Sequence, residues 1–494
     1  MLSMIFVFFI AVLLMFKYYR RNKNYWKKRG VFQVDIATFQ SIKKNGFIGE
    51  TYKDIYEKYP EEPYFGILGI FGSSPTLLLR DLRDIHAVLE TNFDCFNCHG
   101  IVTNPSEVLA DNLLFIKDYR RWKLIRQKLL PTFTNAQMRD MFQYVEKRVH
   151  DFIDNVHENK GIKENPFKAL NAFSGSVVGA SLFGLDDVSH NSDDSPINSM
   201  IWDILSPSYR KELVMYVSYG YPKLFRLFNL NYFHRYNEYF VNIIKSVLKR
   251  RRRQETIIRQ DFISTALEIQ KSGIMKDSST GYELKLTDEI LAAQAFIFLL
   301  GGVNNLSVVT HFTFLELASN KNILEKLHEE IDSVFRKCNE KITFDDIEKF
   351  VYLDMILCEV LRKYPPIPSI GRNCTADTTL PSTQKRVSKD TKIIIPIYAL
   401  QRDKTYFPEP DKFDPERFNN ENKPKIVKYS YMPFGQGNRK CIGMKFARLL
   451  LKFSLAWILR SFTLKEQKYD PKNFDPSLVV LKDVSARFEL IPRK

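Results

Sequence analysis

The sequence of 494 residues predicts a mainly α-helical body with a smaller β portion, preceded by one apolar N-terminal segment. Three observations carry that prediction. The stretch from Asn135 to about Asn320 is mostly helical in pattern, and it contains one very long apolar helix. From Pro365 onward prolines crowd in and short β-branched runs such as TKIIIPIY appear. The opening run MLSMIFVFFIAVLLMF carries no charged side chain. No internal repeat, low-complexity tract or Pro/Gly/Ser linker interrupts the remainder, so residues 31–494 are expected to form a single body.

The N-terminal run leads into Lys17, Arg20, Arg21, Lys23, Lys27, Lys28 and Arg29. Counted to Tyr19, it gives about 28 Å of helix at ~1.5 Å per residue, close to a hydrocarbon core of ~30 Å. Tyr18 and Tyr19 suit a membrane interface, and the basic cluster marks the cytosolic side. A cleaved signal peptide places its basic residues before the apolar run and small residues after it. Here the charges follow and the exit is bulky. Residues 1–19 therefore read as a transmembrane anchor and 20–30 as a basic linker. The next apolar run, Ile290 to Val303, is short for a span, so one anchor holds a large cytosolic body. The sequon at Asn373 would then face the wrong compartment for glycosylation.

Next in order, YFGILGIFGSSPTLLLRD reads as two strands around a Gly-Ser-Ser turn. Residues 95–99, CFNCH, fit the C-x-x-C-H spacing of covalent c-type haem attachment. Six cysteines in the whole chain are too few for a disulfide scaffold and point to a reducing compartment, which weakens that motif. The run KRRRR at Lys249–Arg253 reads as a solvated helix end rather than a nuclear signal. A long helix begins at Thr287, an N-cap followed by Asp288 and Glu289. It is apolar nearly all round and runs about 33 residues, ~50 Å. Its centre nevertheless holds Gly301, Gly302, Asn304 and Asn305. A glycine costs ~1 kcal/mol in a helix interior. Either a packed helix or a flat ligand is therefore expected against the backbone there.

Near the C-terminus stands FGQGNRKCIG, with Cys441 between Gly435, Gly437 and Gly443 and Arg439 two residues before it. Glycines at these intervals let the backbone turn tightly and approach a large ligand. Backbone N–H groups can point at the sulfur while arginines favour its thiolate form, a strong axial ligand for haem iron. A buried structural cysteine in a Gly-rich turn is the alternative. The segment that follows, MKFARLLLKFSLAWIL, reads as a long helix that anchors the loop.

Phe434, Gly437, Arg439, Cys441 and Gly443 fill F-x-x-G-x-R-x-C-x-G, which resembles the haem-binding loop of the cytochrome P450 family. Other motifs follow in that family's order. EVLR resembles its Glu-x-x-Arg pair, here Glu359 and Arg362, and PEPDKFDPERF supplies the matching Arg417. WKLIR gives Trp122 and Arg126. AAQAFIF and RKYPPIP look most like the insect microsomal branch. The resemblance implies a mainly α cytochrome P450 fold and haem b ligated by the Cys441 thiolate. It further implies propionates held by Trp122, Arg126, Arg372 and Arg439, and a buried network of Glu359, Arg362 and Arg417. Electrons would come from NADPH-cytochrome P450 reductase, with cytochrome b5 as a second donor, and the substrate would be an apolar small molecule. The formal charge of +16 favours an acidic partner. Under the resemblance it is assigned to a flavoprotein docking on Arg120, Arg121, Lys123, Lys128, Lys440 and Lys445, which leaves no role for nucleic acid.

The chain departs from that family at two places. The proline usual after the basic cluster is replaced at Phe32. In the central helix Gly301 and Gly302 fit, but Asn304 stands where the family has an acid and Asn305 where it has threonine. An amide can hold a water or donate a hydrogen bond, yet it cannot release a proton as a carboxylic acid does. Ser307 is no substitute, because two residues along a helix turn it ~200° away. The expected activity is a haem-thiolate monooxygenase in the endoplasmic reticulum membrane, facing the cytosol. A reductase-independent peroxide isomerase or dehydratase, or a poorly coupled or idle haem protein, are the alternatives that Asn304 and Asn305 raise. Substrate walls are expected from residues 99–117, 200–235, 301–305, 367–370 and 478–480.

Overall fold

The two early strands, Tyr64–Leu68 and Thr76–Leu79, pair antiparallel with Tyr64 opposite Leu79. They form the middle of a five-stranded sheet. Gln33–Asp35 joins one side in parallel to Tyr64–Leu68. On the other side Lys392–Ile395 pairs in parallel with Thr76–Leu79, and Ile370–Asn373 closes the edge with Arg372 opposite Ile393. Strands so distant in sequence meet because most of the helices are inserted between Leu79 and Ile370. The computed structural model describes residues 22–35, 46–68, 74–158, 162–185, 195–206, 208–253, 259–471 and 474–493, with positions 9, 10, 12, 13, 16, 17 and 20.

The expected anchor therefore lies for the most part outside the described residues. Among the described residues the one helix long and apolar enough to cross a membrane is Asp288–Ser319, and most of its apolar side chains are buried inside the body. It is a core helix. Thr287 caps it by accepting from the Ile290 N–H, with Asp288 and Glu289 in the first turn, as the sequence suggests. Pro166–Val178 and Asn237–Arg252 pack along it, and Val351–Lys363 and Met444–Ser461 complete the surrounding bundle. Gln294 belongs in this apolar helix because its amide is fully paired. Its Oε1 accepts from the Leu113 N–H at 3.0 Å and its Nε2 donates to the Asp111 carbonyl at 2.8 Å. That pair pins the 99–117 segment to the helix.

The basic run at Lys249–Arg253 is more than a solvated end. Arg251 donates to Asp261 at 2.7 Å and Arg250 to the Gly184 carbonyl at 3.3 Å, while Arg252 pairs with Asp288 at 2.5 Å. The end of Asn237–Arg252 is thus tied to three neighbouring segments. All six cysteines are free thiols.

Candidate active site

Cys441 sits where the loop of residues 434–443 turns back on itself. Its N–H donates to the Phe434 carbonyl at 2.9 Å, and the Gly435 N–H donates to Met432 at 2.9 Å. Gly435 and Gly437 take φ of +70° and +73°, a left-handed conformation that side chains resist. At Gly437 a Cβ would also stand 2.1 Å from the Leu89 carbonyl oxygen, so no larger residue fits. Phe446, Leu450 and Phe453 on Met444–Ser461 are buried and hold the loop from behind. Cys441 is exposed, and it lines a cavity of about 1500 Å³. Burial pushes the thiol up, while a Gly443 backbone N–H and the positive charges of Arg126 and Lys440 act in the opposite direction.

Gly301, Gly302, Asn304 and Asn305 line the same cavity from the central helix. The two glycines do different things. A Cβ on Gly301 would meet nothing within 4 Å, whereas one on Gly302 would press on Val178 at 3.1 Å. Helix packing accounts for Gly302, while Gly301 leaves open space on the cavity. The Asn304 Nδ2 donates to the Asn305 Oδ1 at 3.2 Å, and the Asn304 Oδ1 is buried with no partner. Ser307 points away as its helical offset requires, bonding to Val303 at 2.6 Å and Ser174 at 3.1 Å.

The third wall is cationic. The helix Tyr119–Leu129, capped by Asp118, places Trp122 and Arg126 one turn apart on one face. Arg126 donates to the Lys440 carbonyl at 2.6 Å. Arg439 lies over the Trp122 ring at 4.2 Å and donates to the carbonyls of Asn97, Leu113 and Ile116. Arg372 donates to its neighbour's carbonyl and to His99 Nδ1 at 2.9 Å, and its Nε is buried without a partner. Burial lowers Arg372 to about 10 and Arg439 to about 9, and burial likewise lowers Arg126. None of the three has a carboxylate partner among the described residues. His99, the histidine of CFNCH, joins them: burial and the two arginines hold its imidazole well below its usual range, hence neutral. The sequence reading set His99 at the start of the expected 99–117 pocket wall but gave it no role beside the arginines. Cys95 and Cys98 do not line the cavity.

Glu359 and Arg362 lie outside the cavity in a fully buried pair. Arg362 Nε and Nη2 donate to the two carboxylate oxygens at 2.7 and 2.8 Å, and the Asp414 N–H adds a bond at 2.9 Å. Arg417 is the looser third member, 3.5 Å from Glu359. Gln401, which sequence reasoning missed, carries the network toward the cysteine loop. Its carbonyl accepts from Arg362 at 2.9 Å and its Oε1 from the Met432 N–H at 3.1 Å.

A family model described as cytochrome P450 matches residues 36–490. The chain belongs to the cytochrome P450 family. This P450 is 31% identical to cytochrome P450 6j1 of Blattella germanica over 492 residues, covering 96% of this chain and 95% of that one. It is 32% identical to cytochrome P450 6B5 of Papilio glaucus over 463 residues, with 91% and 95% covered. Cytochrome P450 6B7 of Helicoverpa armigera matches at 29% over 503 residues, with 98% and 97% covered. These are insect proteins, in line with the insect-type branch that the motifs resemble. The protein is accordingly a P450 monooxygenase, and its cofactor is thiolate-ligated haem b.

The residues fit that cofactor. The cavity is lined by Cys441 and by Gly301, beside which a Cβ would meet nothing within 4 Å. The same cavity is lined by the buried guanidiniums of Arg372 and Arg439 and the half-buried one of Arg126, none with a carboxylate partner among the described residues, and Arg372 has an orphaned Nε. Buried cations without counter-ions are costly, and two propionates would supply what this cluster lacks. The expected docking face is only partly available. Arg121 and Lys123 are paired with Asp111 and Asp277, and Arg120 lies 3.6 Å from Asp118. Lys128, Lys440 and Lys445 make no ion pair among the described residues.

Proposed function

We propose that this P450 inserts one oxygen atom from dioxygen into an apolar small molecule, with electrons from NADPH-cytochrome P450 reductase and cytochrome b5 as a second donor. Thiolate-ligated haem, when bound, supplies the capture and reductive cleavage of dioxygen. Cys441 is assigned as the iron ligand. Trp122, Arg126, Arg372 and Arg439 hold the propionates, with His99 beside them. Phe434, Gly437 and Gly443 shape the loop so that backbone N–H groups face the sulfur. Glu359, Arg362 and Arg417 position that loop through Gln401 and Met432. Gly302, Asn304 and Asn305 line the oxygen side, where the amides hold water in place of the usual acid and threonine. The residues 1–19 anchor and the 20–30 linker place the 31–494 body on the cytosolic face of the endoplasmic reticulum. Lys128, Lys440 and Lys445 steer the acidic reductase.

The observation that carries this reading is the shared cavity of Cys441, the carboxylate-free arginines and the Gly301–Asn305 backbone. The mutual Asn304–Asn305 hydrogen bond, in place of an acid, favours a second reading: rearrangement or dehydration of hydroperoxides without reductase. Purified protein is to be assayed with reductase, NADPH and a panel of apolar substrates, and separately with hydroperoxides. Product that needs both reductase and oxygen supports monooxygenation. Product from hydroperoxides alone supports the second reading. Ligand binding with no turnover in either arm refutes both and leaves an idle haem protein.

A further inference from the structure

One buried charge in the cavity has no task in that reading. Lys392 opens the strand Lys392–Ile395, is only 9% exposed, and lines the cavity. Its Nζ donates to the Tyr219 carbonyl and lies 4.9 Å from the Tyr219 ring centre. No carboxylate pairs with it among the described residues, and the charges nearest it are positive. Lys117 lies close enough to repel it, and Lys117 in turn feels Arg226, with Asp390 as the one acid in its reach. Burial pushes the Lys392 ammonium down to about 7. The contrast is Lys482, a second buried lysine of the cavity, which has Asp475 and Glu212 beside it.

Lys392 does not belong to the cluster at Trp122. It pairs with Asn373 while Arg372 pairs with Ile393, so the two cations project from opposite faces of the sheet. On the Lys392 face, Ile394 packs with Ile48, Ile67 and Leu478, which also line the cavity. Two phenols face the same space: Tyr52 and Tyr219 line it and lie close enough to perturb each other. Burial raises both phenols, so each hydroxyl remains a proton donor. An ammonium with spare N–H groups, two phenolic donors and apolar walls suit one class of ligand head.

We propose that Lys392, Tyr52 and Tyr219 form a carboxylate-binding subsite, so that the substrates include apolar acids held by the carboxylate with the hydrocarbon chain in the cavity. The proposal rests on the monooxygenase reading and names a substrate class for it. Lys392 and the phenols act in binding and positioning; the charged group that faces Lys392 is Lys117, which itself feels Arg226 and Asp390.

The test uses the full-length holoenzyme in phospholipid nanodiscs, with dodecanoate, methyl dodecanoate and dodecan-1-ol as probes. Affinity is read from the haem difference spectrum and, independently of haem, from equilibrium dialysis of radiolabelled ligand. Dodecanoate should bind roughly tenfold to a hundredfold more tightly than its methyl ester, the span that a charge-assisted hydrogen bond confers. Lys392→Met should erase that ratio, and Lys392→Arg should keep most of it. Equal affinity of acid and ester in the unaltered enzyme overturns the subsite without any variant, as does a ratio that survives Lys392→Met. In both cases an intact carbon monoxide spectrum and turnover of neutral substrates would leave the monooxygenase reading standing. Loss of that spectrum from the unaltered protein would instead remove the reading beneath it.

Discussion

Replacing Glu359 with glutamine should cost far more than the loss of one hydrogen bond. The carboxylate accepts from Arg362 at 2.7 and 2.8 Å and from the Asp414 N–H at 2.9 Å, and both side chains of the pair are fully buried. Glu359→Gln turns one acceptor oxygen into an NH₂ that faces guanidinium donors. It also removes the only charge that balances Arg362 among the described residues. The carbonyls of Gln401 and Pro410 still receive Arg362, but they are neutral. Breaking a buried ion pair from one side costs about 3–5 kcal/mol. Whole-domain stabilities are about 5–15 kcal/mol, so the variant should sit near the edge of folding. With a urea m-value of about 3 kcal/mol/M, the midpoint should fall by about 1 to 2 M. Because Gln401 links this pair to Met432, the carbon monoxide spectrum diagnostic of thiolate ligation should fade at lower urea than in the parent. Denaturation followed by tryptophan fluorescence, with that spectrum read in parallel, measures both. The double replacement Glu359→Leu/Arg362→Leu should be milder than Glu359→Gln, because no charge is stranded. A midpoint shift below about 0.3 M for Glu359→Gln, at an unchanged m-value, would refute this account of the network.

Cys441→Ser should abolish the thiolate spectrum, whereas Cys95→Ser/Cys98→Ser should keep it, and haem should extract freely from the denatured parent; haem retained on the denatured chain would contradict both. Arg439→Leu and Arg372→Leu should each speed haem transfer to apomyoglobin by about tenfold to a hundredfold, as expected on losing a charge-assisted bond worth ~1.5–3 kcal/mol. Asn305→Thr should raise the ratio of product to peroxide if proton delivery limits coupling, and an unchanged ratio counts against that role. His311 is buried, bonds the Asp483 carbonyl at 3.1 Å and is pushed down to about 3 by burial. Its folded pKa lies below the unfolded 6.5, so the stability it confers is present above pH 6.5 and is lost as pH falls. Between pH 8 and pH 5 that loss is about 2 kcal/mol, and His311→Gln should flatten this part of the stability profile measured by chemical denaturation.

The features legible in the sequence were those carried by local spacing. The cysteine loop needs left-handed glycines two residues apart, and Gly435 and Gly437 provide them. Glu359 and Arg362 meet because three residues along a helix share a face, and Thr287 caps the long helix through its own next turn. What escaped notice depends on partners far away in the chain. His99 reaches Arg372 because Cys98 bridges to Asn373 across the edge of the sheet. Lys392 looks like an ordinary strand residue until Tyr219, from a distant helix, closes over it. The docking cations and KRRRR were legible as charge but not as paired charge, since Asp111, Asp277, Asp261 and Asp288 are recruited by the fold.

The adjacent glycines of the central helix have an evolutionary consequence. Gly301 opens on empty space and Gly302 leans on Val178. An alanine at 301 would gain about 1 kcal/mol of helix propensity while taking volume from the pocket, and no neighbour would have to move. At 302 the same methyl group would have to displace Val178. Selection can therefore reshape what this enzyme accepts at one position with no penalty in fold integrity, while the next position is held fixed by the scaffold. At Gly301 the scaffold thus leaves a substitution route that does not pass through a less stable intermediate.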